Sequence, residues 1–547
     1  MFMVRTQLLA CYCILSLWCL GLSQEPSAPE KTGNDPWQAL PLGLNPARVI
    51  DLAIEEAWRS HDLQPTPAAG DAQFVRRLYL DLVGRVPRSS EASEFLSEAD
   101  SRKREKLIDR LLASEEHAEH LAETLDAVFI GRTEVGQFKR RSEAGWLEYL
   151  KRAVRENRPW DNVAREILLA RPASPEERGA TWYLVARKDK PQDIAEAVSK
   201  DFFGVRIDCA QCHNHPLAAE IEQRHYWGLV AFFNRSKNAD SPTGPRVSES
   251  AIGGFSEFSN LEGQSQPNKL VFLGGREVEE ARPGKDVKKE ERDDLYIPGA
   301  EGEPRKPKFS RREQFVDNVL KDHPLVARAM VNRLWGLMLG RGLVHPVDAL
   351  DSFHPASHPG LLDWLARDFA ASNYDVRRLL KSLAMTRAYQ LESAQEHFAD
   401  PQWFSAALPK PLTAEALHRS LLVVLDPEDH GRWDTAEQRI AFAKQFPDVL
   451  VEESLSTVSQ GLLLTNGEEI NNLASVEQSR LLRSLSENPD TDAVIKRLFQ
   501  TVLGREPDAE ERQQCAEYVA DRGDRRQQAV EGLAWALLTS AEFRFNH

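Results

Sequence analysis

Three stretches of this chain share one pattern: arginine, leucine and an aromatic, four residues, then glycine and arginine. They are Arg77-Leu78-Tyr79 with Gly84-Arg85, Arg333-Leu334-Trp335 with Gly340-Arg341, and Arg497-Leu498-Phe499 with Gly504-Arg505. A helix that carries leucine and an aromatic on one face and stops at glycine is a helix-ending unit, because glycine takes the left-handed conformation that closes a helix without a Cβ penalty. The first and third copies add Pro87 and Pro507 two residues on, each followed by an acidic helix, Ser90 to Leu96 and Asp508 to Val519. Proline suits the start of that next helix. Closing helical segments follow each copy at Leu111 to Glu116, Leu383 to Arg387 and Leu537 to Glu542. Each copy therefore predicts a helix-turn-helix unit with a packing role. Gly84, Gly340 and Gly504 are expected at positive φ, with Tyr79, Trp335 and Phe499 buried.

Between the copies, Trp160 to Leu169, Asp193 to Phe203 and the strongly apolar His225 to Phe233 read as helices, and Gly204 ends the second of them. From Asn234 to Arg312, glycine, serine, proline and charge dominate, broken by short apolar runs such as Lys269 to Leu273. That composition predicts an irregular linker or small β insertion with a few short strands. The fold expected is mainly α and multi-helical, two helical domains joined by that linker. Its divisions are a leader at 1–23, a disordered segment at 24–45, an N-terminal helical domain at 46–235, the linker at 236–312 and a C-terminal helical domain at 313–547.

Residues 1–23 read as a secretory signal peptide: Arg5 gives the charged start, Leu8 to Leu22 the apolar core and Gly21-Leu22-Ser23 a small-residue cleavage site. The apolar run is short for a membrane span; an uncleaved anchor is the alternative. The chain is then exported, to the periplasm or cell surface, with no transmembrane helix after the signal is removed. Cys11, Cys13 and Cys19 leave with the leader, so the remaining cysteines provide no disulfide framework and hydrophobic burial must hold the fold. The formal charge of -15 argues against a nucleic-acid or anionic-membrane partner.

Cys209-Ala210-Gln211-Cys212-His213 is the segment that names a chemistry. C-x-x-C-H is the attachment signature of c-type haem: two thiols three residues apart reach the two vinyl groups of one porphyrin, and the next imidazole ligates the iron. Cys209 and Cys212 would anchor and His213 would be the proximal ligand. Other readings stay open. His215 follows closely, and thiolates with imidazoles also suit zinc, although adjacent donors rarely close one tetrahedron and Cys515 is distant. A dithiol redox motif or a plain disulfide are further alternatives.

A haem iron has a sixth position, filled for electron transfer or open for chemistry. His215, His225, Met330, Met338, His345, His354 and His358 are the candidates, with His358 preferred as distal ligand because it precedes the apolar helix Leu361 to Phe369. Ser357-His358-Pro359 equally reads as a helix start. Met330 and Met338 lie in an apolar helical region where methionine fills core. Asp348 and Asp351 beside His345 and His354 read as an acid/base or cation cluster, or as a solvated loop. No G-x-S-x-G, P-loop or H-E-x-x-H occurs, which leaves hydrolase and nucleotide-dependent readings unsupported.

Several motifs occur in combination: Phe74 to Pro87, Cys209 to Pro216, Val331 to Trp335, Gly340 to Val344, Ser357-His358-Pro359, Arg387 to Leu391 and Ser540 to His547. Together they resemble the planctomycete cytochrome-associated proteins, which pair the domains of unknown function fifteen-forty-nine and fifteen-fifty-three. The resemblance runs from about Pro46 to His547. It implies an exported protein associated with cytochrome c domains and often encoded near glycan-degrading enzymes, so periplasmic or surface redox partners and glycans are the partners it suggests. Departures fall near the motif. The usual Cys-His-Asp-His-Pro stands here as Cys212-His213-Asn214-His215-Pro216, the acidic pair after the glycine-arginine-glycine turn is Asp348-Ala349, and the asparagine ahead of Ser-His-Pro is His354. The function expected is an exported c-type haem protein in electron transfer or haem-dependent oxidation, its reaction left open. The alternative is a zinc-holding or scaffold protein of a glycan-processing complex.

Overall fold

Helices dominate the computed structural model, which describes residues 36–284, 290–298, 303–393, 400–444, 446, 449–450 and 467–547. The leader expected at 1–23 lies outside the described residues. Among them, strands form only four two-stranded antiparallel sheets. No described helix is long and apolar enough to cross a membrane. Residues 41–547 pack as one compact unit.

The repeated pattern folds as its local chemistry dictates. Helix Asp71–Val83 ends on Gly84 at φ 68, and helix Pro324–Leu339 on Gly340 at φ 86. Helix Thr491–Val502 runs through Leu503 to Gly504 at φ 76. Tyr79, Trp335 and Phe499 are all buried. The first and third copies then match atom for atom. Arg85 forks onto Glu91 and Glu116, and Arg505 onto Glu511 and Glu542, each through four hydrogen bonds of 2.6–2.8 Å. Each guanidinium also lies over its own copy's aromatic ring, Arg85 over Tyr79 and Arg505 over Phe499. Ser114 and Ser540 cap the closing helices in the same way, accepting from His117 N and Phe543 N. The second copy keeps the buried aromatic and the glycine stop, and its Arg333 is buried like Arg77 of the first, donating to the Asp201 carbonyl at 2.8 Å and to Asp348 at 3.1 Å.

The two matched units also hold each other. Arg76 donates to the carbonyls of Val502 and Phe543, and Leu80 and Val86 enter the apolar cluster built by residues 412–543. Desolvation lowers the Arg76 guanidinium to about 10, so its carbonyl partners are what make its burial tolerable.

A second core is aromatic. Phe129, Trp160 and Phe202 stack on one another, and Tyr183 meets Phe129 and Phe202 edge on. This core fixes helices Trp160–Leu169 and Pro191–Phe203, the latter ending on Gly204 at φ 67. Phe203 continues it toward Phe272 and Phe315, and Phe315 in turn touches Phe232 and Phe233 of helix Gln223–Phe233. The glycine- and charge-rich stretch does hold short strands, Ser236–Ala239 with Arg246–Glu249 and Glu257–Ser259 with Ser265–Pro267. It is also packed: Leu270, Val271, Phe272 and Leu273 are buried. A Cβ on Gly228 would lie 2.2 Å from the Val271 carbonyl oxygen, so glycine is required where that run crosses the helix.

Candidate functional site

The C-x-x-C-H segment sits in the loop between helices Pro191–Phe203 and Gln223–Phe233. Gly204 turns the chain, Ser199 Oγ donates to the Val205 carbonyl at 2.7 Å, and Val205 and Ile207 are buried as anchors. A 3-10 turn, Asp208–Gln211, follows. Its Ala210 points inward, fully buried, which turns the flanking thiols of Cys209 and Cys212 outward. Both are exposed and free, three residues apart.

The next helix holds the loop's shape. Gln223 Nε2 and Trp227 Nε1 both donate to the Gln211 carbonyl, at 3.1 and 3.0 Å, and Gln223 also reaches the Ser259 carbonyl. Gln223 N donates to Asn214 Oδ1 at 2.9 Å. The Asn214 side-chain oxygen thus ties the loop to the start of that helix. Of the aromatics in that helix, Phe232 and Phe233 are core, Tyr226 is buried and donates to Glu196, and Trp227 alone stays partly exposed, stacked on Phe258. Gln223 had no sequence signal, since a glutamine at a helix start announces no tertiary bond.

The two imidazoles of the loop take opposite tautomers. His213 Nδ1 lies 2.7 Å from the Asn214 carbonyl oxygen and can only donate to it, which leaves Nε2 with its lone pair. Metal-ligating histidines carry this arrangement, a carbonyl fixing the ring through the nitrogen that does not ligate. His215 Nδ1 instead accepts from the main-chain N–H of Ala218 at 2.9 Å and of Leu217 at 3.3 Å, so its proton sits on Nε2. His225 Nδ1 likewise accepts from Glu222 N within the helix cap, and burial lowers its pKa. Two accessible thiols beside one imidazole with a free lone pair fit the donor set of haem c. Among the described residues, no group of three or more His, Cys, Asp and Glu is placed to hold a metal ion.

The other expected residues are scattered. Met330 and Met338 are buried in helix Pro324–Leu339. Cys515 belongs to the edge of the C-terminal cluster, where burial raises its thiol. His358 starts helix Pro359–Ala371, and its main-chain carbonyl accepts from Leu362 N. Its ring packs against Trp403 and Phe404, and Ser357 Oγ lies 2.9 Å from Nδ1. Burial, then the neighbouring His61, lowers its pKa to about 4, and its Nε2 is buried without a hydrogen-bond partner. None of the described contacts of His358 reaches Cys209, Cys212 or His213. Asp351 and His354 do form a pair, Nδ1 to Oδ1 at 2.8 Å, and their neighbour Ser352 binds Glu220 of the attachment loop. Of the Asp/His cluster expected from the sequence, Asp351 and His354 thus come together, while Asp348 pairs with Arg333 instead.

Two family descriptions match the chain in tandem. PSCyt2, a protein of unknown function (DUF1549), covers residues 49–238, and PSD1, a protein of unknown function (DUF1553), covers residues 311–438. The comparisons with curated proteins and with solved structures give no match.

Proposed function

The chain belongs to the family that pairs DUF1549 with DUF1553, and from the chemistry of its Cys209 to His213 segment we propose that it is an exported c-type haem protein working in electron transfer or haem-dependent oxidation. The observation that carries this reading is the His213 ring. Its Nδ1 is committed to the Asn214 carbonyl beside two exposed free thiols, so Nε2 is the nitrogen left to meet iron. His215, with its proton on Nε2, supplies no second donor for a closed tetrahedral zinc site in this loop.

Bound there, haem c would supply one-electron redox chemistry, tuned by its axial ligands and by how deeply it is buried. Cys209 and Cys212 would hold it covalently. Asn214 keeps the imidazole of His213 oriented through its carbonyl and ties the loop to Gln223 through its side chain. Gln223 and Trp227 keep the turn between the two cysteines fixed by binding the Gln211 carbonyl. Export follows from the same reading, because covalent haem is attached outside the cytoplasm, where the leader read at residues 1–23 would send the chain.

Intact-mass measurement tests the attachment. The full chain, matured in an export-competent host that attaches haem, should gain the mass of one haem. Cys209→Ser and Cys212→Ser should each weaken attachment, and the double variant should lack it. An unmodified mass with stoichiometric zinc would support the metal-scaffold alternative instead.

A further inference from the structure

We propose that His354, oriented by Asp351, is the second axial ligand of the iron carried at Cys209 and Cys212, an assignment that rests on the haem reading above. The loop that bears it is fastened to the attachment segment on both sides of the motif. Upstream of Cys209, Leu350 N donates to the Gly204 carbonyl at 2.8 Å. The contact is tight: a Cβ on Gly204 would lie 2.8 Å from Leu350 Cδ1. Downstream of His213, Glu220 accepts from Ser352 N at 2.6 Å and from Ser352 Oγ at 2.7 Å. Although burial opposes it, Ser352 holds the Glu220 carboxyl below its usual pKa, so the clamp is ionised at neutral pH. Leu350 and Ser352 are therefore tied to the chain at Gly204 and at Glu220, and Cys209 to His213 lie in sequence between those two anchor points.

The chemistry of His354 matches that of His213. The Asp351 carboxylate is itself fixed, accepting from Phe353 N and His354 N at 3.0 Å each, and its side chain is 5% exposed. It then receives the Nδ1–H of His354 at 2.8 Å. Nε2 keeps the lone pair, and no described hydrogen bond uses it. A carboxylate behind an imidazole is the arrangement that orients a metal-ligating histidine and makes it a stronger donor. Each of the two loops that Glu220 and Ser352 join also holds an apolar side chain out in solvent, Leu217 at 57% and Phe353 at 51% exposure. The Phe353 ring stands edge on to His354, 4.9 Å between centroids. Exposed apolar groups on these two joined loops suit the face of a porphyrin. Of the competing side chains, His215 and His225 carry their protons on Nε2, Met330 and Met338 are core, and His358 packs against Trp403 and Phe404.

The haem-loaded full chain tests this by absorption and electron paramagnetic resonance. The wild type should be low-spin and six-coordinate. His354→Ala should keep its covalent haem stain but become high-spin, and added imidazole should restore the low-spin spectrum. His354→Met should stay six-coordinate with a raised reduction potential, as methionine ligation gives. Asp351→Asn should keep the ligand and raise the potential by a smaller amount. His358→Ala should leave the spectrum unchanged. An unchanged spin state and potential in His354→Ala, with haem attached, would overturn the assignment, as would a change to high spin in His358→Ala. A wild type that carries no covalent haem would instead overturn the reading on which the assignment rests.

Discussion

Arg85 and Arg505 stand in the same place in two copies of one helical unit, each gripping a glutamate of the following helix and a glutamate at the start of the closing helix. The surroundings differ. The Arg85 side chain is 3% exposed, while that of Arg505 is 35% exposed. Removing the buried partner leaves glutamates facing a void, whereas the exposed clamp is screened by water. Arg85→Ala is expected to cost about 3 kcal/mol and Arg505→Ala under about 1 kcal/mol. Urea unfolding followed by circular dichroism checks the order; equal losses would mean the two clamps are energetically alike.

The repeat's glycines make a sharper comparison. Both Gly84 and Gly504 have positive φ, 68° and 76°. A Cβ on Gly84 would sit 2.3 Å from His120 Nδ1 and 2.7 Å from Arg419 Nη1, whereas one on Gly504 meets open space. Gly504→Ala should therefore cost about 1 kcal/mol, the left-handed strain alone. Gly84→Ala adds a clash to the same strain and should lower the unfolding midpoint several-fold further. Similar midpoints would show that His120 and Arg419 yield freely.

Two buried histidines make stability depend on pH. Burial lowers His117 and His358 to about 4, against an unfolded value of 6.5. Both are therefore neutral in the fold, and their contribution is complete above pH 6.5. It falls away as pH drops from 6.5 toward 4, because the unfolded chain takes up the protons first. Each histidine accounts for at most about 3 kcal/mol of that loss. His358→Gln should flatten the decline in urea midpoint between pH 7 and pH 4.5 relative to wild type. A variant with the same slope would show that His358 titrates normally in the fold.

Much of the fold was legible because its signals are local. Helix Trp160–Leu169 and the Gly204 stop stand where period and glycine put them, and the three repeat glycines and aromatics follow from one helix-ending recipe. The clamp was legible only in part: Glu91 and Glu511 lie in the acidic helix that directly follows each glycine, but Glu116 and Glu542 arrive from the closing helices, further along the chain. The surroundings of His358 were not legible at all. They are made by His61 and Trp403, hundreds of residues apart in sequence, and Ser-His-Pro reads the same whether its ring faces a cofactor or a tryptophan. The link between Glu220 and Ser352 is equally non-local: the acids and histidines of residues 345–354 marked the loop in the sequence, but nothing there tied it to the attachment segment.

Whether Cys209, Cys212 and His213 hold a haem is read from the pyridine haemochrome of purified, export-matured protein. The spectrum should be of the c type, with haem stain that survives denaturing electrophoresis in the wild type and disappears in the Cys209→Ala/Cys212→Ala double variant. A folded, colourless wild-type protein from the same haem-attaching host would contradict it.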